Sequence, residues 1–186
     1  MARPKAQDFL HNFRFHVVIT GFGSGAAPVL GTLNGTAVSA GFNSCSAPEV
    51  SHDAVEYREG HYIYTKKYVG LPTVSEITLA RGVALTDSSM WLWMKSVVEG
   101  NEEYRANLDI YHFHRDSKPQ TTAGSTNTQM QVNIAQGGFR KYTCGEAFPI
   151  SQKVSGDLDA TSSEVSLQEL TMAIEYFDIV DVPGVV

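Results

Sequence analysis

The chain has 186 residues, and its 20 acidic and 14 basic side chains give a formal net charge of −6 at pH 7. This length suits one domain over residues 1–186 that buries enough apolar surface to fold without a metal or disulfide. The acidic balance argues against tight binding to nucleic acid. It is compatible with a surface along which DNA slides without sticking, and equally with ordinary solubility charge.

The cysteines and the apolar stretches bear on the compartment. Cys45 and Cys144 lie far apart without C-x-x-C spacing, which favours reduced thiols in a cytosolic protein and leaves one disulfide as the alternative. The first residues carry little positive charge and no apolar run follows them, so the sequence predicts no signal peptide. The apolar stretches are far shorter than the ~20 residues that cross a bilayer. We expect no membrane anchoring, and exit from the cell only inside a particle or after lysis.

Alternation of apolar and polar residues predicts strands along most of the chain. The first covers residues 13–19 and ends at Gly21. Residues 21–36 are rich in small and polar residues, which predicts a long loop before a strand over 36–42. Alternation returns over 61–68.

The second half of the chain continues the same pattern. The sequence Gly70-Leu71-Pro72 is expected to break the preceding strand, and the polar stretch 116–138 predicts a long exposed loop. The final strand is partly apolar on both faces, which indicates cover on both sides, for example by a neighbouring subunit. Its main apolar face comprises Leu170, Met172, Ile174 and Tyr176. Strands are predicted over 75–81, 106–114, 130–134, 140–148 and 170–177.

One segment has helical periodicity. Side chains at 86–89 can cap a first turn, and Gly100 stands where a C-terminal glycine belongs. Trp91 and Trp93 face different sides of such a helix, so one anchors it on the sheet and the other packs at the margin or against a neighbour. The predicted apolar positions are Met90, Trp91, Met94, Val97 and Val98. The sequence therefore predicts a mainly β fold, a β-barrel or sandwich with one flanking α-helix.

Reactive residue types give no complete site. His112 and His114 have a spacing that can hold a metal, but zinc requires further ligands that the sequence does not supply. Glu56 and Glu59 could form a carboxylate pair, although Arg58 between them favours an ion-paired loop. We therefore predict no catalytic residue, no cofactor, no metal and no enzymatic activity, with a metal-dependent enzyme that uses the two histidines as the less favoured alternative.

Several sequence blocks in a fixed order resemble one family. The blocks are Glu56-Tyr57-Arg58-Glu59-Gly60, the strand 77–82 (Ile-Thr-Leu-Ala-Arg-Gly) and Trp91-Leu92-Trp93. They resemble the tail tube (inner tube) proteins of contractile phage tails and related contractile injection systems. The chain departs from that pattern at His61, where the family often has glycine, and at 176–178, where His-Glu is usual. Further matching blocks are the strand 13–21, Gly70-Leu71-Pro72, Arg105 with 109–116, 147–150 and 174–176.

The resemblance implies a β-barrel-like domain with a flanking helix that forms hexameric rings stacked into a hollow tube. It implies that residues 48–60 form a long loop reaching a neighbouring subunit or ring, with an intramolecular turn as the alternative. Candidate interface residues are Glu56, Tyr57, Arg58, Glu59 and His61. Candidate helix-packing residues are Trp91, Trp93 and Met94.

The resemblance also implies partners and a location. The partners are further copies of the chain, a sheath protein, baseplate and tail-terminator proteins, and DNA or protein cargo in the lumen. The particle would be a virion tail or an injection-system particle, assembled in the cytoplasm of the host or producer. Two alternatives remain within the resemblance: a tube initiator or baseplate ring, and a secreted ring carrier of the haemolysin-coregulated type.

Overall fold

A computed structural model of the chain describes residues 10–21, 39–83, 88–100, 102, 104–114, 139–161 and 163–182. Within these ranges the chain forms ten strands and one helix. In chain order they are β1 (Phe15–Gly21), β2 (Ser39–Ala40), β3 (Ser44–Cys45), β4 (Val50–Tyr57), β5 (Lys66–Val74), β6 (Ile77–Gly82), α1 (Ser89–Val98), β7 (Ala106–Phe113), β8 (Phe139–Lys153), β9 (Leu167–Ala173) and β10 (Tyr176–Val182).

All described strand pairs are antiparallel. The main sheet has the order β2-β1-β7-β8-β9-β6-β3, and β10 also pairs with β8. Strands β4 and β5 form a separate two-stranded sheet. The prediction of a mainly β fold with one flanking helix is confirmed. The described strand pairing leaves the main sheet open at β2 and β3, so it is not a hydrogen-bonded closed barrel.

Residues near both ends of the main sheet pack into one hydrophobic core. Alternate residues of β7 and β9 are buried, as period-two patterning requires when one face of a strand packs inward. The core cluster also takes residues from β1, β6, β8 and the helix. Its buried members are Val17, Ile19, Ile77, Leu79, Met90, Trp93, Ala106, Leu108, Ile110, Cys144, Ala147, Leu170, Met172 and Ile174.

Helix α1 is attached to the sheet through Trp93. This side chain is fully buried, and its Nε1 donates a hydrogen bond to the carbonyl oxygen of Tyr104 at 2.7 Å. Met94 is partly buried against the same core, whereas Trp91 is 49% exposed. Of the two tryptophans, Trp93 is therefore the anchor.

The helix ends match the sequence only in part. Ser88 occupies the N-cap position, but its side chain makes no capping hydrogen bond. The remaining predicted capping residues at 86 and 87 lie outside the described residues. Gly100 has φ of +77°, the left-handed conformation in which glycine commonly ends a helix.

Several predicted boundaries were wrong. The predicted break at 70–72 lies inside β5, where Pro72 is tolerated because one edge of this two-stranded sheet carries no further strand among the described residues. The predicted last strand is divided into β9 and β10, and Tyr176 is 56% exposed rather than part of the apolar face. The predicted loop 116–138, the strand 130–134 and residues 22–36 of the first loop lie outside the described residues. No helix among the described residues is long and apolar enough to span a membrane.

We predict that Trp93→Phe lowers the free energy of unfolding by about 2 kcal/mol. The smaller ring leaves unfilled volume and removes the donor to the Tyr104 carbonyl. The matched control Trp91→Phe should change stability by less than about 0.5 kcal/mol, because Trp91 lies at the surface. Denaturant unfolding of the monomer measures both. Equal losses for the two variants would show that Trp93 is not the anchor.

Candidate assembly surface

Strands β4 and β5 form a hairpin that stands apart from the core. They pair with each other from Val50 opposite Val74 to Tyr57 opposite Lys66, and every residue of β4 is exposed. Residues 58–65 connect the strands and are called the hairpin tip below. The loop expected over 48–60 is therefore a strand over most of its length. The sequence of β4 shows little alternation of apolar and polar residues, because neither face of this strand is buried.

The hairpin exposes a set of large apolar side chains. At the hairpin tip, Ile63 is 85% and Tyr64 is 78% exposed. Further exposed members on the hairpin are Val50, Val55, Tyr57, Tyr62, Tyr68, Val69 and Leu71. An isolated two-stranded hairpin is marginally stable in water, and exposed apolar side chains in this number are typical of surfaces that another molecule covers.

Two ion pairs link residues 56 and 59 to lysines of β5. Lys66 Nζ lies 3.0 Å from Glu59 Oε1, and Lys67 Nζ lies 3.2 Å from Glu56 Oε1. Lys66 also lies over the ring of Tyr62, 4.9 Å from its centroid. The two glutamates of the predicted interface block are thus paired within the hairpin, with lysines of β5.

Arg58 is different from its acidic neighbours. Its side chain is exposed at the hairpin tip, and within the described residues it has no ion pair. Tyr57 and His61 are also exposed. Of the predicted interface residues, Arg58 therefore carries a charge that is not paired within the described part of the hairpin, whereas Glu56 and Glu59 pair with lysines of β5.

The base and one irregularity of the hairpin are well defined. At the base, the backbone amide of Ser75 donates to the Glu49 carbonyl at 2.9 Å, and the Glu49 amide donates to Ser75 Oγ at 3.0 Å. The pairing of β4 with β5 shifts register at Asp53, where the hairpin has a β-bulge. A Cβ atom added at Gly70 would lie 2.7 Å from the Asp53 carbonyl oxygen, closer than real side chains approach. Gly70 is therefore required for this bulge.

A second open surface lies along β10. Among the described residues this strand pairs only with β8, so its outer edge presents unpaired backbone groups. Arg140 makes a two-point ion pair to Asp181 on the β10 strand, with Nε–Oδ1 and Nη2–Oδ2 distances of 2.6 and 2.9 Å. Hydrogen bonding from Arg140 lowers the pKa of Asp181. The ion pair fixes β10 on β8 and leaves its outer edge exposed.

The other candidate residues do not converge on a site. His112 Nε2 lies 3.1 Å from the His11 carbonyl oxygen, and the backbone carbonyl of His114 accepts a hydrogen bond from Arg14. In the part of the chain that the structure describes, no three His, Cys, Asp or Glu side chains come together in a way that could hold a metal. Both cysteines are free thiols, and burial raises the pKa of each to about 12.

Comparison with known proteins identifies the family. The sequence profile described as T4-like virus tail tube protein gp19 matches residues 11–178. The chain belongs to this tail tube family. It is therefore a structural tube subunit of a contractile phage tail or contractile injection particle. No curated protein matches it at a significant level.

Solved structures share the fold of this tail tube protein. A chain in the baseplate of the anti-feeding prophage gives a TM-score of 0.67 at 18% identity, with 97% of each chain covered. A chain in the sheath–tube complex of an extracellular contractile injection system, PVC, gives 0.63 at 22% identity, over 93% of this chain and 92% of that one. A chain in the tube-terminating cap of the anti-feeding prophage gives 0.64 at 21% identity and 97% coverage of both chains.

We predict that Gly70→Ala disturbs the hairpin and Gly60→Ala does not. The added methyl group at Gly70 collides with the Asp53 carbonyl, at a cost of about 1–3 kcal/mol, whereas nothing lies within 4 Å of a Cβ at Gly60. Amide hydrogen exchange of residues 50–74 should be about tenfold faster or more in Gly70→Ala. Unchanged exchange in that variant would show that the bulge adapts without strain.

Proposed function

We propose that the tube subunit assembles into hexameric rings that stack into a hollow tube, and that the β4–β5 hairpin contacts a neighbouring subunit. The observation that carries this proposal is the hairpin with both faces exposed and large apolar residues along its length. Such a surface lowers the free energy of the system only when another molecule covers it. In a tube built from many copies of one chain, the molecule that covers the hairpin is another copy of the chain.

The geometry of the hairpin suits contact at a distance. A strand of eight residues spans about 27 Å, so an arm anchored at Glu49 and Ser75 reaches well beyond the core that bears it. When an arm on one subunit contacts a different surface on the next, the interface is head-to-tail. Contacts of this kind close into rings where the rotation permits and otherwise grow as filaments.

The proposed partners and cargo follow from the family. We infer a sheath protein around the tube, with baseplate and terminator proteins at its ends. The structural neighbours come from a sheath–tube complex, a baseplate and a tube-terminating cap, which supports this inference. The lumen would conduct DNA or protein, and the net charge of −6 favours passage of DNA without tight binding. Assembly would take place in the cytoplasm of the host or producer cell, and the subunit would act without catalysis.

The proposal is tested by Ile63→Asp with Val98→Asp as the matched control. Ile63 is 85% exposed on the hairpin tip and Val98 is 79% exposed on the helix, so neither change should unfold the monomer. Burying a new carboxylate at a subunit contact is costly. Ile63→Asp should therefore remain monomeric where the wild-type chain and Val98→Asp form tubes.

Negative-stain electron microscopy and sedimentation velocity over a concentration series provide the measurement. Six-fold rings and hollow tubes are expected for the wild-type chain. Tubes of ordinary length from Ile63→Asp would exclude the hairpin as a contact, and rings of another symmetry would overturn the hexamer. Copy number per particle separates a main tube subunit, which is abundant, from a baseplate ring.

A further inference from the structure

The loop between β8 and β9 forms a groove with an unusual lining. The groove has a volume of about 710 Å³ and is lined by residues from 153 to 169. Two of its apolar side chains, Leu158 and Val165, are 87% and 76% exposed. Four carboxylates and a single ammonium group surround them. These are Asp157, Asp159, Glu164, Glu169 and Lys153.

Hydrogen bonds within the loop give the groove a fixed shape. Ser155 Oγ lies 2.9 Å from Ser166 Oγ, and the Gly156 amide donates to the same Ser166 oxygen at 3.2 Å. Asp159 accepts hydrogen bonds from the amide and hydroxyl of Thr161 at 2.9 and 2.8 Å. A groove that is ordered before binding loses less conformational entropy when it is occupied.

The groove and the hairpin lie at opposite ends of one strand. The hairpin ends at Val74, shortly before β6 begins at Ile77. The groove lies at the other end of β6, where Gly82 pairs with Leu167 and the Val83 amide donates to the Ser166 carbonyl at 3.0 Å. The six residues of β6 separate the two features by about 20 Å along the strand.

The two surfaces are chemically complementary. The hairpin tip presents Ile63 and Tyr64 together with Arg58, whose guanidinium lacks an ion pair within the described residues. The groove presents Leu158 and Val165 among four carboxylates, of which Asp157 lies 3.7 Å from Lys153 Nζ. In a single chain Ile63 and Leu158 are both more than four-fifths exposed, so neither covers the other.

We propose that the hairpin tip of one subunit docks in the β8–β9 groove of the next subunit along the tube, with Arg58 facing the groove carboxylates. This inference rests on the proposed function and adds the receiving surface. Because donor and acceptor surfaces lie at opposite ends of β6, each docked subunit still presents a free tip or a free groove. Contacts of this type continue along an axis, which is what stacking requires.

Charge reversal with rescue tests the pairing. Arg58→Glu places a carboxylate among carboxylates, and Asp157→Arg places a cation opposite Arg58, so each change should raise the concentration needed for tube formation about tenfold or more. The double variant Arg58→Glu with Asp157→Arg should recover most of the loss. A control double variant with Arg58→Glu and Glu99→Arg, where Glu99 is the exposed C-cap residue of α1, should recover nothing. The pairing would be overturned if Asp157→Arg and Glu99→Arg both restored the assembly of Arg58→Glu, or if neither did.

Disulfide cross-linking tests proximity independently of charge. On oxidation, tubes of the double variant Ile63→Cys with Val165→Cys should give a ladder of covalent oligomers. The control Ile63→Cys with Val98→Cys should not. The native thiols of Cys45 and Cys144 react slowly because burial keeps them protonated.

The outcomes separate the two proposals. If Ile63→Asp abolishes tubes but no ladder forms, the hairpin docks elsewhere, and the groove assignment fails while the proposed function stands. If the wild-type chain forms neither rings nor tubes at any concentration, both proposals fail.

Discussion

The fold depends on a single long strand, β8, which pairs with three others. Residues 139–145 of β8 lie between β7 and β10, and residues 148–153 continue the ladder with β9. The ladder is interrupted at Glu146, whose φ is +55°. Arg105 contacts the carboxylates of Glu146 and Glu175 at this interruption and lies over the rings of Tyr104 and Phe148. Arg105 thus bridges two carboxylates at the point where β8 passes from its pairing with β7 and β10 to its pairing with β9.

Because β8 pairs with β7 and with β9, residues of β1, β6, β7 and β9 meet in one core, and exposed apolar side chains remain at the hairpin and the groove. The hairpin leaves at the start of β6 and the groove forms at its end. In a monomer these surfaces would be liabilities, since exposed strands and apolar patches promote uncontrolled association. In the proposed tube the same surfaces would be covered by neighbouring copies, and Glu56 and Glu59 pair with lysines within the hairpin.

The sequence predicts those parts of the fold in which burial imposes a period. Alternation predicts β7 and the buried part of the final strand, and helical spacing predicts α1. That spacing places Trp91 and Val98 on the apolar face, whereas both are exposed and Trp93 is the buried tryptophan. The sequence does not predict strand β4, because both of its faces are exposed to solvent and its residues therefore need not alternate. Family resemblance predicts an interface at the block around Arg58, but the lysine partners of Glu56 and Glu59 depend on hairpin register. The groove is lined by residues from β8, from β9 and from the loop between them, so no local sequence pattern predicts it.

Assembly by such contacts need not be strong at each interface. An exposed ion pair contributes at most about 1 kcal/mol, and a small apolar tip in a groove adds the transfer free energy of a few side chains. In a ring every contact is repeated by each copy. When one ring stacks on another, the contacts of all its hairpin tips form together. The summed free energy then makes ring addition cooperative while a lone subunit binds weakly. A hairpin tip with one unpaired cation and a few exposed apolar side chains would therefore suit a subunit that binds weakly as a single copy and firmly as part of a ring.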